Sequence, residues 1–223
     1  MASLPTGTVT ILFTDIEGST RLLQRVGEER YAELLAEHHR ILRAAIDARD
    51  GVVVKTEGDS FFAVFPSAQD AVRAAVDAQR SLSDNTPLSG ERVRVRMGLH
   101  TGEVGLSAGE YVGLDIHRAA RVSAAGHGGQ VLLSEATHAL IQVELPEGTS
   151  IRDLGEHVLK DIDRPEHIFQ LTLEGYQADF PPLHTKSARF ELLPAEMSAF
   201  VGRDAEVVRA VKLLGETRLL NLT

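Results

Sequence analysis

The sequence VVVKTEGDSFFAVF at residues 52–65 predicts a β-hairpin. Both arms are rich in β-branched and aromatic residues, which favour strands, and the polar run TEGD between them is typical of a turn. Apolar residues at helical spacing precede the hairpin over residues 31–46, before Gly51, and follow it over residues 68–82. A hairpin with an amphipathic helix on each side is the centre of a βαββαβ arrangement.

Two further strands complete this arrangement. Residues 9–13 (VTILF) are a short β-branched and aromatic run, and apolar and charged residues alternate over residues 93–97. The predicted fold class is therefore α+β, with a ferredoxin-like βαββαβ core in which helices cover one face of an antiparallel sheet. Additional elements are predicted after the core: a helix over residues 113–125, a short helix capped by Ser134, and strands over residues 131–133 and 168–173.

Composition limits the possible functions of the chain. Its 223 residues exceed one typical domain of roughly 150 residues, so we expect one domain and a remainder. Lys and Arg number 23 against 32 Asp and Glu, a net charge of −9 that disfavours direct nucleic-acid binding. The lack of cysteine excludes disulfides, thiolate zinc sites and cysteine nucleophiles, and it suits the reducing cytosol. Because no apolar run is long enough to span a membrane, we expect a cytoplasmic protein without a membrane partner.

Two aspartates are predicted to meet at one edge of the sheet. Asp15 directly follows the first strand, and Asp59 lies in the hairpin just before the third. These strands are antiparallel neighbours in a ferredoxin-like sheet, so the end of one lies beside the start of the other. Carboxylates hold Mg²⁺ or Mn²⁺ well, with substrate phosphates completing the shell, and two such ions could activate a hydroxyl and steady a leaving pyrophosphate.

The turn after Asp15 is a second candidate feature. Small residues in this turn allow backbone N–H groups to approach an anion at the amino end of the first helix. The alternative is that Ser19 or Thr20 is a plain N-cap and Asp15 a turn residue. The residues concerned are Ile16, Glu17, Gly18, Ser19 and Thr20.

Four segments together resemble the motifs of class III nucleotidyl cyclases. They are FTDIEGST (13–20), KTEGDSFFAVF (55–65), RMGLHTGEV (96–104) and GLDIHRAAR (113–121), in the family's order. The resemblance covers about residues 5–173 and is far more specific than any single motif. It implies the class III cyclase fold for a catalytic domain at residues 1–174.

The resemblance implies a set of metal and purine ligands. Asp15 and Asp59, with Ile16, match the positions that bind two Mg²⁺ or Mn²⁺ ions per site. Lys55 matches the residue that contacts the purine, and a lysine suits N1 of adenine, so ATP is the expected substrate. Glu110 falls at the second purine-selecting position, where a carboxylate accepts from an exocyclic amine and could also suit guanine.

The resemblance also implies the residues that act on the phosphates. Arg121 matches the arginine that stabilises charge on the α-phosphate, a role suited to a guanidinium fork. His117 occupies the helix position where the family usually has asparagine, so activity is expected to be weak or sensitive to pH. Lys160 matches a lysine that reaches the terminal phosphates. Only residues 106–112 separate Gly105 from Gly113, where the family usually has a longer hairpin.

Such cyclases pair head to tail, with metal ligands from one subunit facing purine and transition-state residues from the other. One chain here carries both sets, which implies a symmetric homodimer with two shared sites.

Two other interpretations of the sequence stay open. The turn after Asp15 loosely resembles that of aspartate-nucleophile phosphatases, which need a parallel sheet. Alternatively, the domain binds nucleotide or dimerises without catalysis and regulates a C-terminal ATPase.

The remainder of the chain is predicted to hold two segments. Residues 175–197 contain three of the eight prolines and no sustained periodicity, which is typical of a linker. Residues 198–223 include FVGRDAE at 200–206, a helical pattern and LLNLT at the end. They resemble the start of the ATPase domain of STAND-type signalling regulators, which implies a truncated ATPase or effector partner. The histidines lack a compact metal spacing, so no zinc site is predicted.

Overall fold

The computed structural model describes residues 4–84, 91 and 93–187. The end of the predicted linker and the predicted start of an ATPase domain, at 198–223, lie outside these residues.

One large, mostly antiparallel sheet forms the centre of the domain. Its order is β2-β3-β1-β4-β6-β8-β7-β9, and β5 pairs with β4. The strands are β1 (Gly7–Ile16), β2 (Val52–Glu57), β3 (Ser60–Phe65), β4 (Val95–Ser107), β5 (Glu110–Val112), β6 (Val131–Ser134), β7 (Thr149–Val158), β8 (Glu166–Leu173) and β9 (Lys186–Ser187).

The first four strands confirm the predicted α+β class and ferredoxin-like core. β1 lies between β3 and β4 and is antiparallel to both. The hairpin of β2 and β3 completes the order β2-β3-β1-β4. β6 then extends the sheet as a parallel neighbour of β4. Because β1 and β3 are antiparallel neighbours, the carboxyl end of β1 lies beside the turn of the β2–β3 hairpin at one edge of the sheet.

Five helices cover the two faces of the sheet unequally. They are α1 (Ser19–Val26), α2 (Glu28–Asp47), α3 (Ala68–Asp84), α4 (Leu114–Ala125) and α5 (Glu135–Ile141). Helices α2, α3 and α5 pack over the face that carries Leu12, Met97 and Leu99. Side chains alternate along a strand, so Leu132 of β6 lies on the opposite face from its neighbours Val131 and Leu133. Val122 of α4 packs with Leu132, and α4 therefore covers that opposite face.

Glycines in β4 allow α4 to lie directly on the sheet. A Cβ atom added to Gly98 would lie 2.2 Å from the backbone nitrogen of Ser123, and one added to Gly102 would lie 2.2 Å from Oδ2 of Asp115. Any larger residue at these positions would displace α4. The glycines therefore set the distance between α4, with its candidate catalytic residues, and the sheet.

The β4–β5 hairpin explains the short connection seen in the sequence. Strand β4 continues to Ser107, and Ala108 and Gly109 both have positive φ (53° and 83°) before Glu110 pairs back to Ser107. Two residues with positive φ form the tight turn that matches the twist of a hairpin. Glu110 is therefore held at the end of a short, defined hairpin.

Part of the predicted linker packs on the domain. Leu183 is buried with Val122 and Leu159, and the His184 amide donates to the carbonyl oxygen of Ala125 (2.9 Å). The aromatic ring of Phe180 stacks on His127. The described residues 175–187 thus belong to the same compact unit as the sheet.

His38 is a buried histidine in α2 with a predictable effect on stability. It is 0% exposed, its two ring nitrogens have no hydrogen-bond partner within the described residues, and it packs edge-on against Phe61. Burial, with the charge of His39 as a second cause, lowers the pKa of His38 to about 4. The ring therefore stays neutral in the folded protein at pH values where the unfolded chain takes up a proton.

This difference predicts a loss of stability in acid. The free energy of unfolding keeps its full value above the unfolded pKa of about 6.5. It falls as the pH drops from there toward the folded pKa of about 4, because the unfolded chain takes up a proton at His38 that the folded protein does not. Between pH 7 and pH 5 the free energy of unfolding is expected to fall by about 2 kcal/mol more in the wild type than in His38→Leu. Urea titrations at both pH values measure this difference. His138→Leu is the control, and an equal pH dependence of wild type and His38→Leu would contradict the prediction.

Candidate active site

The structure brings Asp59 to the end of β1. Its Oδ2 accepts a hydrogen bond from the backbone N–H of Ile16 (2.9 Å), the residue that follows Asp15. The pairing of β1 with β3, in which Thr14 lies opposite Phe61, brings the hairpin turn to this point. Asp15 and Asp59 thereby supply two half-buried carboxylates at one edge of the sheet.

Arg96 is a functional candidate that the sequence analysis missed. It lies opposite Asp15 in the β1–β4 pairing and forms a two-pronged ion pair with it, in which Nη2 is 2.6 Å from Oδ2 and Nε contacts Oδ1. Hydrogen bonding to Asp15 raises the pKa of Arg96, and the charges of Glu17 and Asp59 add to this effect. Charge alternation in β4 was visible in the sequence, but its register against β1 was not.

The turn after Asp15 uses some of its amides within the protein. The N–H of Glu17 donates to the carbonyl oxygen of Arg94 (2.8 Å), and that of Ile16 is taken by Asp59. Gly18, at φ 69° and ψ 32°, occupies the N-cap of α1, so Ser19 and Thr20 begin the helix. The first N–H groups of a helix have no partner within it, so those of this first turn could meet an anion.

Tyr31 also reaches this turn from α2. Burial raises the pKa of its hydroxyl, the charge of Asp59 raises it further, and a hydrogen bond with Ser19 opposes the shift. The hydroxyl is therefore protonated at neutral pH and joins α1, α2 and the Asp59 turn. No sequence motif pointed to this residue.

Lys55 and Glu110 lie in a second group. The Lys55 ammonium forms an exposed ion pair with Glu57 (Nζ to Oε1, 2.5 Å). This hydrogen bond raises the pKa of Lys55, and the charge of Glu110 contributes in the same direction. The two predicted purine-selecting residues are therefore within electrostatic reach of each other, although they come from β2 and β5.

Arg121 lies in a third group at the end of α4. Its Nη2 donates to Oδ2 of Asp161 (2.8 Å) and its Nε to the carbonyl oxygen of Lys160 (3.1 Å). His117, one helical turn earlier, is exposed. The side chain of Lys160 is exposed as well.

Polar contacts within the described residues hold each of the three groups together but do not link one group to another. Among the described residues, no hydrogen bond or ion pair joins the Asp15–Asp59–Arg96 group to the Lys55–Glu110 group or to the Arg121 group. Asp15 and Asp59 offer hard carboxylate oxygens, which Mg²⁺ and Mn²⁺ prefer, and a cation would share the Asp15 oxygens with Arg96 or displace it. The residues present at this edge therefore fit a divalent cation.

Comparison with known proteins agrees with this arrangement. The sequence model described as "Adenylate and Guanylate cyclase catalytic domain" matches residues 1–173. The chain belongs to this family. An adenylate cyclase of Trypanosoma brucei, solved in its monomeric state, shares the fold of this cyclase domain with a TM-score of 0.70 and 28% identity, covering 82% of this chain and 94% of that one.

Curated relatives of this cyclase domain differ in length. An uncharacterised protein of Mycobacterium tuberculosis is 44% identical over 206 residues, which cover 91% of this chain and 70% of the relative. An adenylate cyclase of Podospora anserina is 29% identical over 75% of this chain, which corresponds to only 10% of that enzyme. None of the helices that the structure describes has the length and apolar character needed to cross a bilayer.

Proposed function

We propose that this cyclase domain converts ATP to 3′,5′-cyclic AMP and pyrophosphate, with Mg²⁺ or Mn²⁺, in sites shared between two copies of the chain. One observation carries the proposal. The oxygen ligands for a cation lie in one group, and the purine and α-phosphate candidates lie in two others. No hydrogen bond or ion pair between described residues joins either of these two groups to the first. A head-to-tail homodimer would place the first group of one subunit against the other two groups of its partner.

The reaction forms one bond and breaks another. The 3′-hydroxyl oxygen of ATP attacks the α-phosphorus, and the bond from that phosphorus to the bridging oxygen of the β-phosphate breaks. Pyrophosphate leaves with that oxygen, and the hydroxyl proton passes to solvent water. Two divalent ions held by Asp15, Asp59 and the Ile16 carbonyl would activate the hydroxyl and neutralise the triphosphate. Arg96 would exchange part of its ion pair with Asp15 for phosphate oxygens, because a guanidinium binds both in the same geometry.

Residues of the partner subunit are assigned to the α-phosphate. Arg121 would donate to the non-bridging oxygens as negative charge builds on them, and this requires it to exchange Asp161 for the phosphate. His117 would donate to the ribose from its exposed position on α4. The β- and γ-phosphates are assigned to the ammonium of Lys160 and to the N–H groups of Gly18, Ser19 and Thr20, which follow Asp15 in the subunit that holds the cations.

The purine is assigned to Lys55 and Glu110. A lysine ammonium donates to N1 of adenine and a carboxylate accepts from its exocyclic amine, so the pair complements adenine. The adenylate cyclases of P. anserina and T. brucei named above support this choice. Lys55 would release Glu57 on binding the ring, and because both side chains are largely exposed this exchange costs little.

An exposed apolar surface supports the dimer. Leu106 lies in β4, Val112 in β5 and Leu114 at the start of α4, and they are 40%, 48% and 60% exposed. Leu106 pairs with Tyr111 and Val112 with Gly105, so Leu106 and Val112 lie on opposite faces of the hairpin. The stacked rings of Phe13 and Phe62 are only half-buried and lie on the same face of the sheet, with Tyr111 edge-on to Phe62. The half-buried pair Phe13–Phe62 is therefore the apolar surface that we assign to the contact with a second copy of the chain.

His117 supports a second candidate function. An imidazole ring in place of the usual asparagine differs in shape and in its hydrogen-bonding atoms, so the domain could bind nucleotide without turning it over. It would then act on a C-terminal ATPase or effector region in a longer cytoplasmic protein. A product assay separates the two functions.

The test is to incubate the purified protein with ATP or GTP and Mn²⁺ or Mg²⁺ and to detect the cyclic product by chromatography and mass spectrometry. Cyclic AMP is expected from ATP, at a rate above that of cyclic GMP from GTP. A faster reaction with GTP would overturn the assignment of Lys55 and Glu110. Nucleotide binding with neither product would favour the regulatory function.

A further inference from the structure

Three side chains from distant parts of the sequence meet beside the candidate active site. Glu17 lies in the turn after β1, His127 in the turn after α4, and His184 in the segment 175–187. Each offers a ligand atom, and these atoms all lie within 4.8 Å of one another. The group contains neither Asp15 nor Asp59, and two of its three ligands are imidazoles.

A hydrogen bond of the His127 ring determines which of its two nitrogens has a free electron pair. Its Nε2 is 3.0 Å from the carbonyl oxygen of Pro182, which can only accept, so Nε2 carries the proton. In the neutral ring Nδ1 is then unprotonated, and it faces Oε1 of Glu17 at 3.7 Å. This distance exceeds a hydrogen bond, so two electron-pair donors face each other across a gap that a cation would fill.

The separation of Nδ1 of His127 and Oε1 of Glu17 is suited to a transition metal. Two ligands at about 2.0–2.1 Å from a tetrahedral Zn²⁺ lie about 3.3 Å apart, close to the separation of Nδ1 and Oε1. The bond from Nε2 of His127 to a backbone carbonyl is the outer contact that orients most metal-bound histidines. His127 is 7% exposed, so its ring has little freedom to turn away.

Backbone contacts hold all three segments in place. The amide of Glu17 is bonded to Arg94, and that of His184 to Ala125. The amide of His127 donates to Oε1 of Gln130 (3.0 Å). Gly128 permits the close approach, since a Cβ there would lie 2.9 Å from the Cβ of Glu17. A cation could therefore bind with small side-chain movements.

We propose that Glu17, His127 and His184 form a binding site for a Zn²⁺-like divalent ion. Imidazole nitrogens favour zinc, cobalt or nickel over Mg²⁺ and Mn²⁺, so the site differs in selectivity from the Asp15–Asp59 edge. The ion fastens the segment 175–187 to the turn that follows Asp15. Any influence on catalysis rests on the proposed cyclase function, whereas the metal binding itself does not.

The test uses the untagged protein of 223 residues, treated with a chelator and then titrated with Co²⁺, whose visible absorption reports nitrogen ligation. Wild type and Asp59→Asn are expected to bind one Co²⁺ that Zn²⁺ displaces. His127→Ala and His184→Ala are expected to lower the affinity at least about tenfold. His138→Ala, which changes a histidine outside the cluster, should bind as the wild type does.

Hydrogen exchange gives a second readout. Zn²⁺ is expected to slow the exchange of the amides of residues 176–187 in the wild type. In His184→Ala the exchange rates of these amides should be the same with and without Zn²⁺. Because His184 is exposed, this variant remains informative even if His127→Ala fails to fold. Absence of Co²⁺ binding by the folded wild type, or undiminished affinity in His184→Ala, would overturn the proposal.

Discussion

Replacing Asp59 by asparagine is expected to lower the rate of cyclic AMP formation about 10³-fold, equivalent to about 4 kcal/mol of transition-state stabilisation. The substitution removes one of the two carboxylate charges at the edge where β1 meets the hairpin. It keeps a carbonyl oxygen that can still accept the hydrogen bond from the Ile16 amide. The loss is therefore expected without unfolding, and initial rates over a range of Mn²⁺ concentrations measure it.

A matched acidic residue controls for general effects of charge. Asp70→Asn changes a side chain of α3 whose ion pair with Arg73 is 3.6 Å long and partly exposed. This variant should retain wild-type activity, and both variants should melt within a few degrees of the wild type. An Asp59→Asn protein with near wild-type rates would show that Asp59 does not hold the catalytic cation.

Replacing Arg121 by alanine is expected to lower kcat by about 10²- to 10³-fold with little change in KM, since the guanidinium is assigned to charge that develops in the transition state. In the free protein Arg121 is bound to Asp161 and to the Lys160 carbonyl. Arg121→Lys keeps the charge but loses the fork, so its rate should lie between those of wild type and Arg121→Ala. Steady-state kinetics with ATP distinguish the three proteins.

Asp161→Asn is the control for this prediction. It removes the carboxylate that holds Arg121 while preserving the backbone, because asparagine tolerates the positive φ of 61° found there. Activity at or above the wild-type level is expected. Equal kcat in wild type and Arg121→Ala would show that α4 does not supply the transition-state charge.

The part of the fold that carries the motifs could be predicted from the sequence. Strands β1, β3 and β4 have strong apolar patterns that are visible in the local sequence. Their order in the sheet follows from the βαββαβ arrangement, in which a hairpin lies between two amphipathic helices. Strand β7 was missed because TSIRDLGEHV alternates weakly, is buried only in part and has an irregular register between Asp153 and Gly155. Pairing with β8 stabilises it, and pairing of this kind is not visible in a local pattern.

Contacts between distant residues were the other limit. The pairing of Arg96 with Asp15 depends on strand register, and the approach of His184 to Glu17 depends on how residues 175–187 pack. The spacing of the histidines gave no sign of a metal site for this reason. By contrast, the sequence was enough to predict that Asp15 and Asp59 lie near each other, because β1 and β3 are antiparallel neighbours in a ferredoxin-like sheet.

The measurement that tests the shared site most directly is complementation between the two inactive variants. Asp59→Asn and Arg121→Ala are coexpressed with different affinity tags, and the dimers that carry both tags are purified. Each such dimer retains one site with an intact Asp59 and an intact Arg121, so we predict about half the wild-type rate. Homodimers of either variant should stay near background. A dimer carrying both variants that is no more active than these homodimers would contradict the account.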